Sequence, residues 1–176
     1  MLATMFKTVA LGGLVVFLGA AMARTAFSQD AARFTFGQTR LLAAKDIGPE
    51  GGRMTIQGTD TPLEGLVLDI PPGALEREDR VTIGYDDGTL ILPMGAPSGK
   101  TAVITFGKAP SLALPAAVSL PFDRDKAVGP PQGYAVDAQG RLDLLMLARF
   151  DRESGVAVYH TFRSMTMTWA YLDMRP

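Results

Sequence analysis

Apolar side chains recur at every second position in a series of short runs along the C-terminal two-thirds of this chain. Leu66, Leu68 and Ile70 share one face. Val81, Ile83 and Tyr85 share another, opposite Arg80, Thr82 and Gly84, and Ala102, Ile104 and Phe106 repeat the pattern. Ala117–Leu120 adds a short run. Val136, then Leu142, Leu144 and Met146, flank a turn at Asp137-Ala-Gln-Gly140, and Val156, Val158, His160 and Phe162 follow a turn at Asp151-Arg-Glu-Ser-Gly155. In the last run Met165, Met167, Trp169 and Tyr171 face away from Thr166, Thr168 and Ala170. A period of two is the signature of half-buried β-strands, and turn residues between such runs favour a sandwich or barrel. Asp86-Asp87-Gly88, leading into Thr89–Leu92, predicts a hairpin turn. Most prolines fall at the ends of these runs, where a missing backbone N–H disturbs a sheet least. Only Leu75-Glu-Arg-Glu78 suggests a helical turn. The pattern predicts an all-β sandwich of about nine short strands.

The first 47 residues read differently. Lys7 precedes an apolar stretch over residues 8–23 that ends in Ala21-Met22-Ala23. A basic start, an apolar middle and a small-x-small triplet make up a secretory signal peptide. Ala26-Phe27-Ser28 is a second cleavage triplet. The stretch is broken by Gly12, Gly13 and Gly19 and falls short of the ~20 apolar residues that cross a bilayer, so an uncleaved anchor helix is the alternative. Either way the expected location is outside the cytoplasm: periplasmic or extracellular, with residues 8–23 as the membrane contact if they are retained. Residues 24–47 form a lead segment in which Phe34 and Phe36 alternate, and 39–45 is expected as a short helix or an edge strand. Gly48-Pro-Glu-Gly-Gly52 then punctuates, and 48–176 is expected to be the domain.

Composition removes several kinds of function. The 176 residues carry 17 Lys+Arg against 18 Asp+Glu, a formal net charge of −1, without the basic excess that nucleic-acid binding needs. Loss of a signal peptide would remove Lys7 and make the chain one unit more acidic. With no cysteine, the chain has no disulfide, no thiolate metal site, no thiol nucleophile and no lipid-modified cysteine. The single histidine, His160, rules out a multi-histidine metal centre within the chain.

Gly51-Gly-Arg-Met-Thr-Ile56, then Leu66-Val-Leu-Asp-Ile-Pro-Pro-Gly-Ala-Leu75, then Val81-Thr-Ile83, resemble the opening of a ZU5 domain. Ser98–Phe106, Pro115–Asp123 and Val156–Phe162 follow in the same order, so the resemblance spans about residues 48–170, with Asp69–Leu75 as its most specific part. It implies an Ig-like, ZU5-like β-sandwich and, by analogy with a family of mostly docking modules, a protein-interaction role. Some members cut themselves at a His-Phe-Ser sequence. Here the order is His160-Thr161-Phe162-Arg163-Ser164, which puts neither Phe nor Ser in place.

No residue pattern specifies catalysis, a cofactor or a metal. Gly95–Thr101 resembles a phosphate loop, but Met94 stands where the first glycine is required and a strand pattern follows, so a hairpin loop is expected. Asp86, Asp87, Asp123 and Asp125 lack calcium-loop spacing and are expected in turns. Asp69 and Asp143 lie in apolar runs but on the outward phase. His160 is expected on the inward face, hydrogen-bonded within the sandwich. Tyr85, Tyr134, Tyr159 and Trp169 are the aromatics that could stack on a sugar, with Tyr159 on the outward phase. The Met165/Met167/Trp169/Tyr171 face suits either a core or a binding surface. The sequence therefore points to an exported, non-enzymatic β-sandwich that acts as a structural or protein-interaction module of the cell envelope. Its expected partner is another envelope protein. The alternatives are a carbohydrate- or small-ligand-binding module and, more remotely, a self-processing domain.

Overall fold

The computed structural model describes residues 32–93 and 96–171. The signal or anchor segment lies outside them, as does the lead segment before Ala32. Among the described residues there are thirteen strands and no helix. They are β1 (Arg33–Thr35), β2 (Thr39–Ile47), β3 (Gly52–Thr55), β4 (Val67–Ile70), β5 (Asp79–Asp86), β6 (Thr89–Ile91) and β7 (Ala96–Phe106). β8 (Ala116–Pro121), β9 (Gln132–Val136), β10 (Leu142–Leu144), β11 (Leu147–Asp151), β12 (Val156–Thr161) and β13 (Met165–Tyr171) complete them.

The strands form a six-stranded sheet in the order β10-β9-β13-β7-β5-β2 and a five-stranded sheet in the order β11-β12-β8-β4-β3. Neighbours in both are antiparallel. The inner faces meet in one core: Val81, Ile83, Ile104, Met167 and Trp169 from the first sheet, Leu68, Ile70, Val118, Leu120 and Tyr159 from the second. This is the sandwich-like arrangement that the alternation predicts. β1 and β6 pair with each other as a small third layer, and Phe34 and Leu90 cover Val136 and Ala170 on the outer face of the six-stranded sheet.

The Pro-Pro-Gly segment marks one crossing between sheets. Pro71 closes β4, the N–H of Gly73 donates to Pro49 O at 2.7 Å, and Gly73 takes a φ of +80° that a side chain would strain. Ala74 and Leu75 then turn inward and are buried. Glu76 and Arg77 after them form a bend rather than the helical turn suggested by Leu75–Glu78.

The lead segment contributes a strand. Thr39–Ile47 pairs with β5 along its length, from Thr39 opposite Asp86 to Ile47 opposite Asp79, and is the edge of the six-stranded sheet. The expected hairpin at Asp86-Asp87-Gly88 does not form, because β6 leaves β5 and pairs only with β1. Asp86 accepts the N–H groups of Gly37 and Gly88 and the Thr39 hydroxyl, and Asp87 accepts the N–H of Gln38. The two carboxylates pin the 37–39 loop instead of closing a two-residue turn.

The phase of β12 is also opposite to expectation. Ala157, Tyr159 and Thr161 point inward, and His160 is exposed. Both parities of this run carry apolar residues, so alternation alone does not choose between them. The bulkier Tyr159 takes the core, where it is 1% exposed and donates its hydroxyl to Pro131 O. Gly133 makes room for it: a Cβ there would lie 2.7 Å from the Tyr159 ring. Burial pushes the Tyr159 phenol well above its ordinary pKa.

Candidate functional site at the open edge of the sandwich

Leu145 and Met146 carry the chain from β10, an edge of the six-stranded sheet, to β11, an edge of the five-stranded sheet. The N–H of Leu145 donates to Gly133 O at 2.9 Å, which fixes the crossing against β9. Leu147 then pairs with Tyr159, and the strands run antiparallel, so Met146 lies on the His160 side of that pair. The end of β12 and the start of β13 close the same side of the molecule. Between these elements lies a groove of about 480 Å³, lined among others by Asp143, Leu145, His160, Phe162, Arg163 and Met165.

Apolar side chains stand in solvent around this groove. Met146 is 89% exposed and Phe162 53%, and Leu147 is partly exposed beside them. Leu144, 62% exposed, shares the parity of Leu142 on β10 and so stands on the other face of that strand. The expected core alternation of Leu142, Leu144 and Met146 is therefore not a core face. β10 ends at Leu144, and Met146 lies in the crossing.

The two hydroxyls of the groove are bonded to backbone groups. Thr161 Oγ1 donates to Arg163 O at 2.7 Å and accepts the Arg163 N–H at 3.3 Å. Ser164 Oγ accepts the Phe106 N–H at 2.8 Å and reaches Phe106 O at 3.5 Å, stapling the β12–β13 turn to β7. Among the described residues His160 has no hydrogen-bond or ion-pair partner, in place of the internal bond expected for it. The nucleophile–histidine contact that acyl transfer or self-cleavage requires is thus not formed between these residues. Asp137 at the groove's end is tied to Arg141, whose backbone N–H and guanidinium hold its carboxyl below the usual range.

Asp69 and Asp123 lie away from this edge. Asp69 pairs with Arg53 across β3 and β4. Asp123 accepts the Asp125 N–H at 3.0 Å and pairs with Lys126 at 3.3 Å, contacts that lower its pKa, the backbone bond first. Among the described residues no group of three or more acidic or histidine side chains is placed to hold a metal ion. Lys100 sits within β7 rather than in a hairpin loop. Gly99 there takes a φ of +69°, and the Lys100 amine lies 6.0 Å from the centroid of the Trp169 ring. Burial lowers the pKa of this amine, against the opposing pull of Asp123. Met167, Trp169 and Tyr171 are buried and belong to the core, with Met165 half-buried at the groove. Of the four candidate stacking aromatics, Tyr159 and Trp169 are thus inside, and Tyr85 and Tyr134 are half-buried.

A residue that the alternation did not bring forward proves a heavily bonded acid. Asp79 is buried, and its carboxylate accepts the N–H groups of Arg80 at 2.8 Å, of Lys108 at 2.9 and 3.0 Å, and of Ala109 at 2.8 Å. Burial pushes its pKa up, and the N–H donors outweigh burial, so the group ends below an ordinary carboxylate. Its carboxylate ties the start of β5 to the loop after β7, which makes it a structural group.

Neither a family model nor a curated protein matches the chain. Among the described residues no helix is long and apolar enough to cross a membrane.

Proposed function

We propose that this chain is an exported, non-catalytic β-sandwich of Ig-like, ZU5-like kind that docks another protein of the cell envelope through the open edge of its sandwich. The observation that carries the reading is Met146 and Phe162, both largely in solvent beside a groove whose hydroxyls are already bonded. Large apolar side chains clustered at a concave edge favour protein contact over chemistry. Export is supported by Lys7, the apolar 8–23 stretch and the small-residue triplet that follows it. The ZU5 resemblance of Asp69–Leu75 supports the docking role by analogy. Glycan stacking has weaker support, since Tyr159 and Trp169 are core residues.

The double variant Met146→Asp/Phe162→Asp is expected to keep the thermal midpoint within a few degrees of the parent, because neither side chain packs in the core. In envelope extracts it should lose at least about tenfold of whatever the parent retains specifically, as expected when apolar contact residues become charged. Equal capture by parent and variant would remove the groove from the reading. Fractionation tests the location separately. A chain found with the periplasmic or secreted fraction, or in carbonate-washed membranes with its sandwich outside, fits export. A chain found in the cytoplasm does not.

A further inference from the structure

The two large sheets end in β2 and β10 on one side of the core and in β3 and β11 on the other. An edge strand is a template for pairing with another chain unless something blocks it. β2 carries a bulge between Leu41 and Ala43, and its Lys45 amine donates to Arg53 O of β3 at 3.4 Å, so one side chain lies across both edges. β10 is engaged at its start, where Arg33 bridges to Arg141. For β11, among the described residues, no side chain or loop bonds the backbone of residues 149–151 from outside the sheet.

The bonding sides of β11 follow from its neighbours. Gly155 O accepts the Phe122 N–H at 2.9 Å, so odd-numbered residues here bond toward β8 and even-numbered residues of β12 bond toward β11. Val156 and Val158 are even and lie opposite Asp151 and Arg149. Those two therefore bond to β12, and the N–H and C=O of Phe150 face the free edge. Side chains alternate as well. Phe150 packs toward the core, stacked on Phe122 with ring centroids 5.1 Å apart, and Arg149 and Asp151 stand on the outer face.

We propose that two copies of this chain associate by pairing β11 with β11, antiparallel about a two-fold axis at Phe150, which joins their five-stranded sheets into one. Charge selects that register. Opposed residues share a face, so the axis must pass through a residue. At Phe150 it sets Arg149 of each copy opposite Asp151 of the other. At Arg149 it would set two arginines face to face, and at Asp151 two aspartates, and like charges directly opposite are destabilising. Phe150 exchanges both backbone hydrogen bonds with its counterpart, and the Arg149–Asp151 pairs beside it are of the closer, non-hydrogen-bonded kind. Both groups are available. Arg149 is exposed and forms no ion pair among the described residues, and Asp151 holds the Glu153 and Ser154 N–H groups through Oδ1, leaving Oδ2. The contact is narrow, so the association is weak and concentration-dependent. The inference concerns β11 alone and does not rest on the docking reading.

Hydrogen exchange at the Phe150 amide of the purified full chain tests the pairing. The amide should exchange at least about threefold more slowly at about 100 μM than at about 1 μM protein, as mass action requires of a contact between copies. Arg149→Asp sets aspartates opposite each other and should raise the concentration at which protection begins by at least about tenfold. Mixing that variant with Asp151→Arg should restore protection, because each then meets its opposite charge. Asp151 also holds its own turn, so Asp151→Asn, which keeps an acceptor there, is the second variant, and it should weaken the pairing less than Arg149→Asp does. Protection that is the same at both concentrations, loop-like exchange at both, or protection indifferent to Arg149→Asp overturns the proposal. Only the purified chain is present, so a failed capture from extracts remains a separate result.

Discussion

Asp79→Ala should lower the unfolding free energy by about 3 kcal/mol, the cost of leaving one or two part-buried N–H donors without their acceptor. Asp79 stands at the first position of β5, opposite Ile47 of β2, and reaches across to the Lys108 and Ala109 amides beyond the end of β7. It therefore joins three strands of the six-stranded sheet at one end. Asp79→Asn keeps one acceptor oxygen and should cost about half as much, because the charge-assisted part of the bonding is lost. The pH dependence follows from the direction of the shift. A carboxyl whose folded pKa lies below its unfolded value contributes its full stabilisation above the unfolded value, about 3.9. It loses that contribution as pH falls through the folded value. The gap between parent and Asp79→Ala should accordingly be widest near neutrality and narrow below about pH 4, where the unfolded carboxyl takes up its proton. Urea unfolding at pH 7 and pH 3 measures both. A gap under about 0.5 kcal/mol at pH 7, the range of ordinary surface substitutions, would show that the loop bonds are replaced by water.

The parts of this structure that were legible in the sequence are those where one parity of a strand is apolar and the other polar. β5 and β7 are of this kind: Val81 and Ile83, and Ala102 and Ile104, face the core as alternation places them. On β13 alternation sets Met167 and Trp169 on one face, and only the packing of the sheets makes that face core. β12 was not legible, since Val156 and Val158 compete with Ala157 and Tyr159, and the outcome rests on Gly133 of another strand leaving space for a ring. The Asp-Gly sequence after β5 predicts a hairpin because the local rule sees only the turn. The side chains of Asp86 and Asp87 instead bond to residues 37–39, some 47–49 positions earlier. Alternation predicts about nine strands against the thirteen among the described residues for a related reason. β1, β6 and β10 each span three residues, too few for a period to show, and exist because a neighbour pairs with them. The groove was the least legible feature, because Leu142, Leu144 and Met146 look like one strand face. Only the division of β10 and β11 between two sheets turns that run into an exposed edge.

Trp169→Ala should be the most damaging single substitution in the core, costing about 3–5 kcal/mol, the usual range for removing a large buried aromatic. Trp169 is fully buried on β13, paired with Gly133 of β9, and lies where the β13–β7 register shifts between Thr168 and Ala170. Removing the indole would open a cavity between the two sheets and strip the half-buried Lys100 stem and amine of the ring they cover. One feature of the site works in the opposite direction. Among the described residues Trp169 Nε1 is buried without a hydrogen-bond partner, and an unsatisfied buried donor costs about 1–3 kcal/mol. Trp169→Phe loses part of the ring volume but also removes that donor, so it should cost markedly less than the alanine variant, about 1–2 kcal/mol by the same two terms. The contrast between the variants isolates the cavity contribution, because both remove the N–H and only alanine leaves the larger cavity. Urea melts followed by far-UV circular dichroism are suitable, as the single tryptophan is absent from both proteins. If the phenylalanine variant is as unstable as the alanine variant, the N–H is satisfied in solution and the ring's full shape carries the packing. A cost under about 1 kcal/mol for Trp169→Ala would show that the two sheets close over the vacated space.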